Sequence, residues 1–189
     1  AALMGIDVEK GLDAAKKVSD TFTEIDSVAV KIATLLIEQS SQFIAFADAG
    51  SAVPGLSDWI EQLVAESTGK DQKGRIPIVL EDASSSISGS APLITFKHGV
   101  GDLSIEADLF EQFILWEWVT ALMGRALQVD PFNQPNVTEA KDRTGALLAK
   151  WGGKPNYGEP IFSDSNFDIF TNVEVKSIEN AIEEFFNQT

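Results

Sequence analysis

Two short stretches of the sequence carry polar side chains at spacings that suit proton-transfer chemistry. The first covers residues 62–70, Gln-Leu-Val-Ala-Glu-Ser-Thr-Gly-Lys. Gln62 and Glu66 are four residues apart, so on a helix both side chains project from one face. Glu66 falls in the last helical turn, where the negative end of the helix dipole disfavours a carboxylate and keeps a general base ready to accept a proton. Considered alone, the pattern is more typical of a surface glutamate before a helix-ending glycine, Gly69.

The second stretch covers residues 130–141, in which a loop with two prolines leads into a helix. Gln134 lies in the loop and Lys141 lies in the second turn of the helix. We expect both side chains to face the carboxyl ends of parallel strands, where open α/β sheets bind their ligands. Considered alone, Lys141 is better explained as a solvated lysine after a proline-rich turn.

These residues are positioned by a predicted alternation of helices and strands. Apolar residues at helical spacing indicate the helices, and capping residues such as Ser27 and the pairs Asp58/Glu61 and Asn136/Glu139 indicate their starts. Short apolar runs indicate the strands. The alternation predicts an α/β fold with a mainly parallel, doubly wound sheet in three αβα layers. The predicted helices cover residues 7–18, 27–39, 57–68, 107–127 and 136–150, and the predicted strands cover residues 42–47, 76–80 and 92–96.

Residues 151–189 are predicted to form a C-terminal extension that packs on the same domain. A segment with two glycines and a proline, residues 152–155, breaks the preceding helix. We expect a strand within residues 168–172 and a final helix over residues 177–187.

Composition and charge exclude several classes of function. The net charge of −15 argues against nucleic-acid binding, which needs a basic surface. The single histidine, His98, excludes a histidine-rich metal centre, and there is no EF-hand-like loop, so we expect no metal. No apolar run approaches the roughly 20 residues of a membrane span. The absence of cysteine excludes disulfides and thiolate chemistry and fits a reducing compartment.

Three segments together are similar to glucose-6-phosphate isomerases. Residues 59–70 resemble the family signature Gln-x-x-x-Glu-Ser-[Thr/Asn]-Gly-Lys, and residues 129–141 resemble the family's Asn-x-Phe-Asp-Gln-x-x-Val-x-x-x-Lys block. Residues 116–121, Trp-Glu-Trp-Val-Thr-Ala, are similar to the Trp-Glu-Phe-Ala-Thr-Ala helix of a bacterial branch that includes fusions to a transaldolase. The two motifs occur in the family's order and spacing. Residues 1–150 therefore resemble the second sugar isomerase (SIS) domain of such an enzyme.

The resemblance implies an aldose–ketose isomerase of glycolysis and gluconeogenesis, located in the cytoplasm. Such enzymes open the ring of glucose 6-phosphate and move a proton between C2 and C1 through a cis-enediol. The product is fructose 6-phosphate, and no cofactor takes part. The resemblance further implies that Glu66 is the base, that Lys141 assists ring opening, and that Gln62 and Gln134 contact the sugar.

The sequence departs from the family pattern at three points. The family's ring-opening histidine belongs in a loop that corresponds to residues 84–90, which contain none, so a role for His98 is left open. Asn133 stands where the family usually has aspartate. No phosphate-binding first SIS domain precedes Ala1, and the chain opens Ala-Ala-Leu-Met without an initiator methionine. We therefore expect a fragment with an incomplete active site.

Two functions remain open from the sequence. The first is an isomerase domain whose partners are a sugar-phosphate substrate, the first SIS domain of the same enzyme and, in a homodimer, a second copy. The second is a non-catalytic SIS domain that binds a sugar phosphate for regulation or assembly. The absence of a histidine from the expected loop favours the second function, whereas the intact pairs Gln62/Glu66 and Gln134/Lys141 favour the first.

Overall fold

The computed structural model describes residues 2–48, 54–81, 91–96, 101–152 and 157–187. After a short 3-10 helix, Ala2–Met4, its helices are α1 (Val8–Ser19), α2 (Val28–Glu38), α3 (Leu56–Thr68), α4 (Leu109–Leu127), α5 (Pro135–Lys150) and α6 (Ile178–Asn187). Its strands are β1 (Phe43–Ala47), β2 (Ile76–Val79), β3 (Leu93–Phe96), β4 (Leu103–Ile105), β5 (Phe162–Ser163) and β6 (Asp168–Ile169).

The first four strands form a parallel sheet in the order β2-β1-β3-β4. Helices flank this sheet on both sides, which confirms the predicted α/β fold. The register pairs Phe43 with Ile76 and Ala47 with Thr95, so β1 lies between β2 and β3. Apart from Phe43, the residues of β1 are buried, as expected for a strand of a parallel sheet that is covered on both faces.

The predicted helices are confirmed to within two residues at each end. Asp7 and Ser27 cap α1 and α2, where their side chains accept hydrogen bonds from backbone amides three positions later, at 3.1 and 3.4 Å. At α5 the predicted cap is wrong, because the helix begins at Pro135 and Asn136 lies inside its first turn. Proline suits this first position, since its fixed φ is helical and its missing N–H would have no partner there.

The start of α3 differs from the predicted capping box of Asp58 and Glu61. The cap residue is Gly55, whose left-handed backbone (φ 88°) suits glycine. Asp48, directly after β1, supplies the carboxylate. Its Oδ2 accepts from the Gly55 amide at 2.6 Å, and its Oδ1 accepts from the Ser57 amide at 3.0 Å and the Ser57 hydroxyl at 2.6 Å. The cap of α3 therefore comes from another element, which local spacing does not reveal.

Strand β4 is missing from the sequence-based predictions, because Leu103–Ile105 is too short to give a periodic signal. The chain reaches it from β3 through residues 97–102, of which 97–100 lie outside the described residues. Parallel neighbours usually need a dozen or more connecting residues. Just before β4 the backbone of Gly101 passes close to β3, and a Cβ on residue 101 would lie 2.8 Å from the Leu93 carbonyl oxygen. The Asp102 amide then donates to the same oxygen at 2.9 Å, and Asp102 Oδ2 accepts from the Leu93 amide at 2.8 Å.

The core lies between the sheet and helices α2, α3 and α4. Phe46 of β1 contacts Trp116 of α4 edge to face, with ring centroids 5.3 Å apart and ring planes at 73°. Both side chains are fully buried, as are Ile60 of α3 and Leu36 of α2. Burial of each such side chain contributes about 1.5–3 kcal/mol to stability. This core fixes α3, which carries Gln62 and Glu66, and α4, which leads into the loop that carries Gln134.

The contacts divide the chain into two compact units, Ala1–Asn136 and Val137–Thr189. The second unit contains most of α5, the antiparallel pair of β5 and β6, and α6. The expected strand in this region is confined to Asp168–Ile169, and the expected final helix is α6. The predicted domain over residues 1–150, and the packing of residues 151–189 on it, stay predictions.

Asp48→Ala should lower the free energy of unfolding by about 1–2 kcal/mol, because α3 loses its cap. Asp58→Ala is the matched control, since Asp58 is exposed in the first turn of the same helix. We expect it to cost about 0.5 kcal/mol or less, because the helix-dipole contribution of an exposed carboxylate, about 0.3–1 kcal/mol, is partly offset by the better helix propensity of alanine. Urea unfolding followed by circular dichroism measures both, and equal losses would contradict the assignment of the cap to Asp48.

Candidate functional site

The carboxylate of Glu66 is held by two side-chain amides. Gln62 Nε2 donates to Oε1 at 3.0 Å, and Gln134 Nε2 donates to Oε2 at 2.8 Å. All three side chains are exposed. The structure thus brings together three residues that were selected from the sequence, two on one helix face and one in a loop 68 positions beyond Glu66.

The last turn of α3 carries Glu66 and then ends abruptly. The Thr68 hydroxyl donates to the Val64 carbonyl at 2.8 Å, and the Gly69 amide donates to the Ala65 carbonyl at 2.9 Å. A Cβ on residue 69 would lie only 2.5 Å from the Ala65 carbonyl oxygen. Glycine is therefore required here by the close approach of the backbone, and the predicted helix stop is confirmed.

The loop after α4 carries Gln134 and is folded by its own side chains. Gln128 ends α4 in the left-handed conformation, with φ 58°. Asp130 Oδ1 accepts from the Phe132 amide at 2.9 Å, and its Oδ2 accepts from the Asn133 side-chain amide at 3.0 Å. An aspartate that bonds the backbone two residues on is a typical turn former. Asn133 therefore contributes to the shape of the loop.

Lys70 joins this loop to α3. Its side chain is buried, with 6% of its surface exposed. Its Nζ donates to the Asp130 carbonyl at 2.5 Å and also to the Asn133 carbonyl. Lys70 was not predicted as a site residue. Its two acceptors lie 60 and 63 positions further along the chain, so the sequence around Lys70 gives no sign of these hydrogen bonds.

The Glu66 carboxylate lies at the amino edge of the sheet. It lines a pocket of about 440 Å³ together with Arg75, Ile76 and Pro77, at the start of β2. Glu66 lies at this edge because α3 runs back from the end of β1 to the start of β2, so the last turn of α3 reaches the amino ends of the strands. The expectation that Gln134 faces the carboxyl ends of the strands is therefore wrong.

A second pocket, of about 710 Å³, adjoins the first, and the two share Gly69, Arg75 and Ile76. Arg75 is fixed against the end of α2, where its Nε donates to the Leu36 carbonyl at 3.0 Å and its Nη2 donates to the Ile37 carbonyl at 2.5 Å. Its positive charge complements the negative end of the α2 dipole. Arg75 was not predicted, because this contact also joins residues distant in sequence.

The roles predicted for Lys141 and left open for His98 depend on parts of the chain outside the described first unit. Lys141 lies on α5 in the second compact unit, and its side chain is exposed. His98 and residues 84–90 lie outside the described residues. The assignments of ring opening to Lys141, and of any role to His98, stay predictions.

Neither a metal centre nor a membrane span is found in the part of the chain that the structure describes. No group of histidine, aspartate and glutamate side chains there could hold a metal ion. No helix there combines the length and the hydropathy needed to cross a membrane.

No protein-family model matches the chain, and no curated protein matches it. Membership of the glucose-6-phosphate isomerase family therefore stays a prediction from the motifs. The structure shows the α/β fold and the grouping of Glu66 with Gln62 and Gln134.

Two helical glycines should respond to alanine with opposite sign. In Gly124→Ala the new Cβ would lie 2.9 Å from Cγ of Pro131, where the Gln134 loop packs on α4. We expect a loss of about 1–2 kcal/mol after the gain in helix propensity is subtracted. In Gly145→Ala, on α5, nothing lies within 4 Å of the new Cβ, so we expect a gain of about 0.5–1 kcal/mol. Urea unfolding checks both, and a gain in Gly124→Ala would show that Pro131 does not pack closely on α4.

Proposed function

We propose that this chain is the second SIS domain of a glucose-6-phosphate isomerase and that Glu66 is its proton-transferring base. The observation that carries the proposal is the pair of amide contacts on the Glu66 carboxylate. Gln62 belongs to the first motif that resembles the family, and Gln134 belongs to the second. The contact between these motifs supports a common role for them, because chance matches would have no reason to meet on one carboxylate.

The arrangement suits a base that accepts and returns one proton. An ionised carboxylate has about four lone-pair positions, two on each oxygen. One amide on each oxygen sets the orientation of the Glu66 carboxylate and leaves lone pairs that can accept a proton. Glu66 is also exposed and borders the pocket of about 440 Å³, so a substrate can reach it.

In the proposed reaction, Glu66 removes the C2 proton of open-chain glucose 6-phosphate and returns a proton to C1 through a cis-enediol intermediate. The carbonyl of the open-chain sugar acidifies this proton, so the chemistry needs no cofactor. Gln62 and Gln134 keep the carboxylate in place and contact the sugar, and Lys141 assists ring opening. The reaction belongs to glycolysis and gluconeogenesis, and the proposed location is the cytoplasm.

The proposal assigns the phosphate group to a first SIS domain. A net charge of −15 means that phosphate can be held only by local donors. The N-terminus of α3, a natural anion site in such folds, already has the Asp48 carboxylate on its amides. This unit therefore suits the proton-transfer step better than it suits the binding of phosphate.

Glu66→Gln, made in the protein that also carries a first SIS domain, should lower kcat by about 10²–10⁴-fold, because an amide cannot accept the proton. Glu117→Gln is the matched control, since Glu117 is an exposed glutamate of α4. It should leave kcat unchanged. Steady-state interconversion of glucose 6-phosphate and fructose 6-phosphate measures both, and near wild-type turnover in Glu66→Gln would refute the assignment of the base.

The 189-residue chain alone should show no measurable turnover, because we place the phosphate site in the first domain. NMR detection of deuterium at C1 of fructose 6-phosphate in D₂O is the sensitive measurement, since it reports proton exchange at the reacting carbon. Robust incorporation would show that this chain holds a complete active site. Binding of the sugar phosphate without exchange, even with the first domain present, would favour the non-catalytic function.

A further inference from the structure

We infer that Lys70 is a positioning residue that places Gln134 on the Glu66 carboxylate. The inference deepens the proposed function and rests on it for its catalytic consequence, because it names the residue on which the second amide contact depends. Lys70 acts through the loop of residues 130–134, and we assign it no contact with the reacting atoms.

The Lys70 ammonium is buried against backbone oxygens. It is 6% exposed, and its Nζ donates to the carbonyls of Asp130 and Asn133, which lie near the two ends of the loop. An ammonium that leaves water must pair its donors, since an unpaired buried charge is costly. The buried Lys70 ammonium therefore depends on these two loop carbonyls, and its two hydrogen bonds hold the loop against the end of α3.

The Asn133 carbonyl is the direct link from Lys70 to Gln134. This oxygen belongs to the peptide group that joins Asn133 to Gln134, and a planar peptide group moves as one unit. The hydrogen bond from Lys70 to this oxygen therefore fixes the backbone at the start of Gln134. From that point the Gln134 side chain reaches Glu66 at 2.8 Å.

Lys70 is equally fixed with respect to Glu66, which lies four positions before it. The Gly69 amide donates to the Ala65 carbonyl at 2.9 Å, and the Lys70 amide donates to the Thr68 carbonyl at 2.7 Å. These bonds tie the residues after α3 to its last turn. The loop is consequently attached to the same turn that carries the carboxylate.

The two amides on Glu66 differ in what holds them in place. Gln62 is on α3 itself and meets Glu66 through the spacing of the helix alone. Gln134 meets Glu66 only while its loop is held against α3. Loss of the Lys70 ammonium should therefore release Gln134 and leave Gln62 in contact.

NMR of the side-chain amides tests this dependence in the 189-residue chain. In the otherwise wild-type chain, Glu66→Gln should shift the side-chain amide signals of both Gln62 and Gln134. In a Lys70→Met background, Glu66→Gln should still shift the Gln62 signal, and the shift of the Gln134 signal should be lost. Lys73→Met, which removes an exposed lysine nearby, is the matched control and should preserve both shifts.

Survival of the Gln134 shift in the Lys70→Met background would overturn the inference. Loss of both shifts would also overturn it, because a merely structural role for Lys70 disturbs the whole turn. Where Lys70→Met fails to fold, Lys70→Gln takes its place under the same criteria, since it removes the charge and keeps a polar donor. In both variants, Glu66→Gln should leave the Gln134 signal unshifted.

Turnover of the protein that carries the first SIS domain separates this inference from the proposed function. Lys70→Met should lower kcat there, and Lys73→Met should not. Isomerase activity combined with an unchanged Gln134 contact in Lys70→Met refutes the positioning role and leaves the proposed function intact. Selective loss of the Gln134 contact, in a protein with no isomerase activity, refutes the proposed function and leaves the positioning role intact.

Discussion

A helix that connects two parallel strands must run back along the sheet, and this constraint determines where the candidate site lies. α3 leaves β1 at its carboxyl end and returns the chain to the start of β2, so its last turn lies at the amino edge. The loop after α4 arrives at the same edge, where Gln134 meets Glu66. Two motifs that are far apart in sequence become neighbours because the strands share one direction. The site therefore lies opposite the carboxyl edge, where ligands of open α/β sheets usually bind.

The two ends of α3 are stabilised by side chains of opposite charge. At its N-terminus the Asp48 carboxylate satisfies backbone amides and complements the positive end of the helix dipole. Beyond its C-terminus the buried Lys70 ammonium bonds two carbonyls. Each hydrogen bond from a charged donor contributes about 1.5–3 kcal/mol, which offsets much of the several kcal/mol that burial of an ammonium costs. The net gain in stability is therefore small, and the main consequence is that one conformation of the loop is selected.

The features that could be predicted from the sequence are those with a local signal. Asp7 and Ser27 cap their helices from three positions away, and the apolar runs of β1 and β3 mark buried strands. The features that could not be predicted depend on partners that are remote in sequence. Asp48 caps α3 across nine positions, and Lys70 reaches across 60. Glu66 and its two amides were selected by motif, but the edge of the sheet at which they meet follows only from the path of the chain.

The distribution of carboxylates bears on where the proposed enzyme would bind the phosphate of its substrate. Helix N-termini are common phosphate sites, because their free amides and dipole favour an anion. In the described part of the first unit, α1, α3 and α4 begin instead with the carboxylates of Asp7, Asp48 and Asp108, whereas α2 begins with the hydroxyl of Ser27. A net charge of −15 adds long-range repulsion of a phosphate dianion. Under the proposed function, a unit built in this way presents a carboxylate base to the sugar, and we propose that a first SIS domain supplies the main donors for the phosphate. Such a division would also keep the negative phosphate at a distance from Glu66, the proposed base, which in the proposed reaction returns its proton to the substrate carbon.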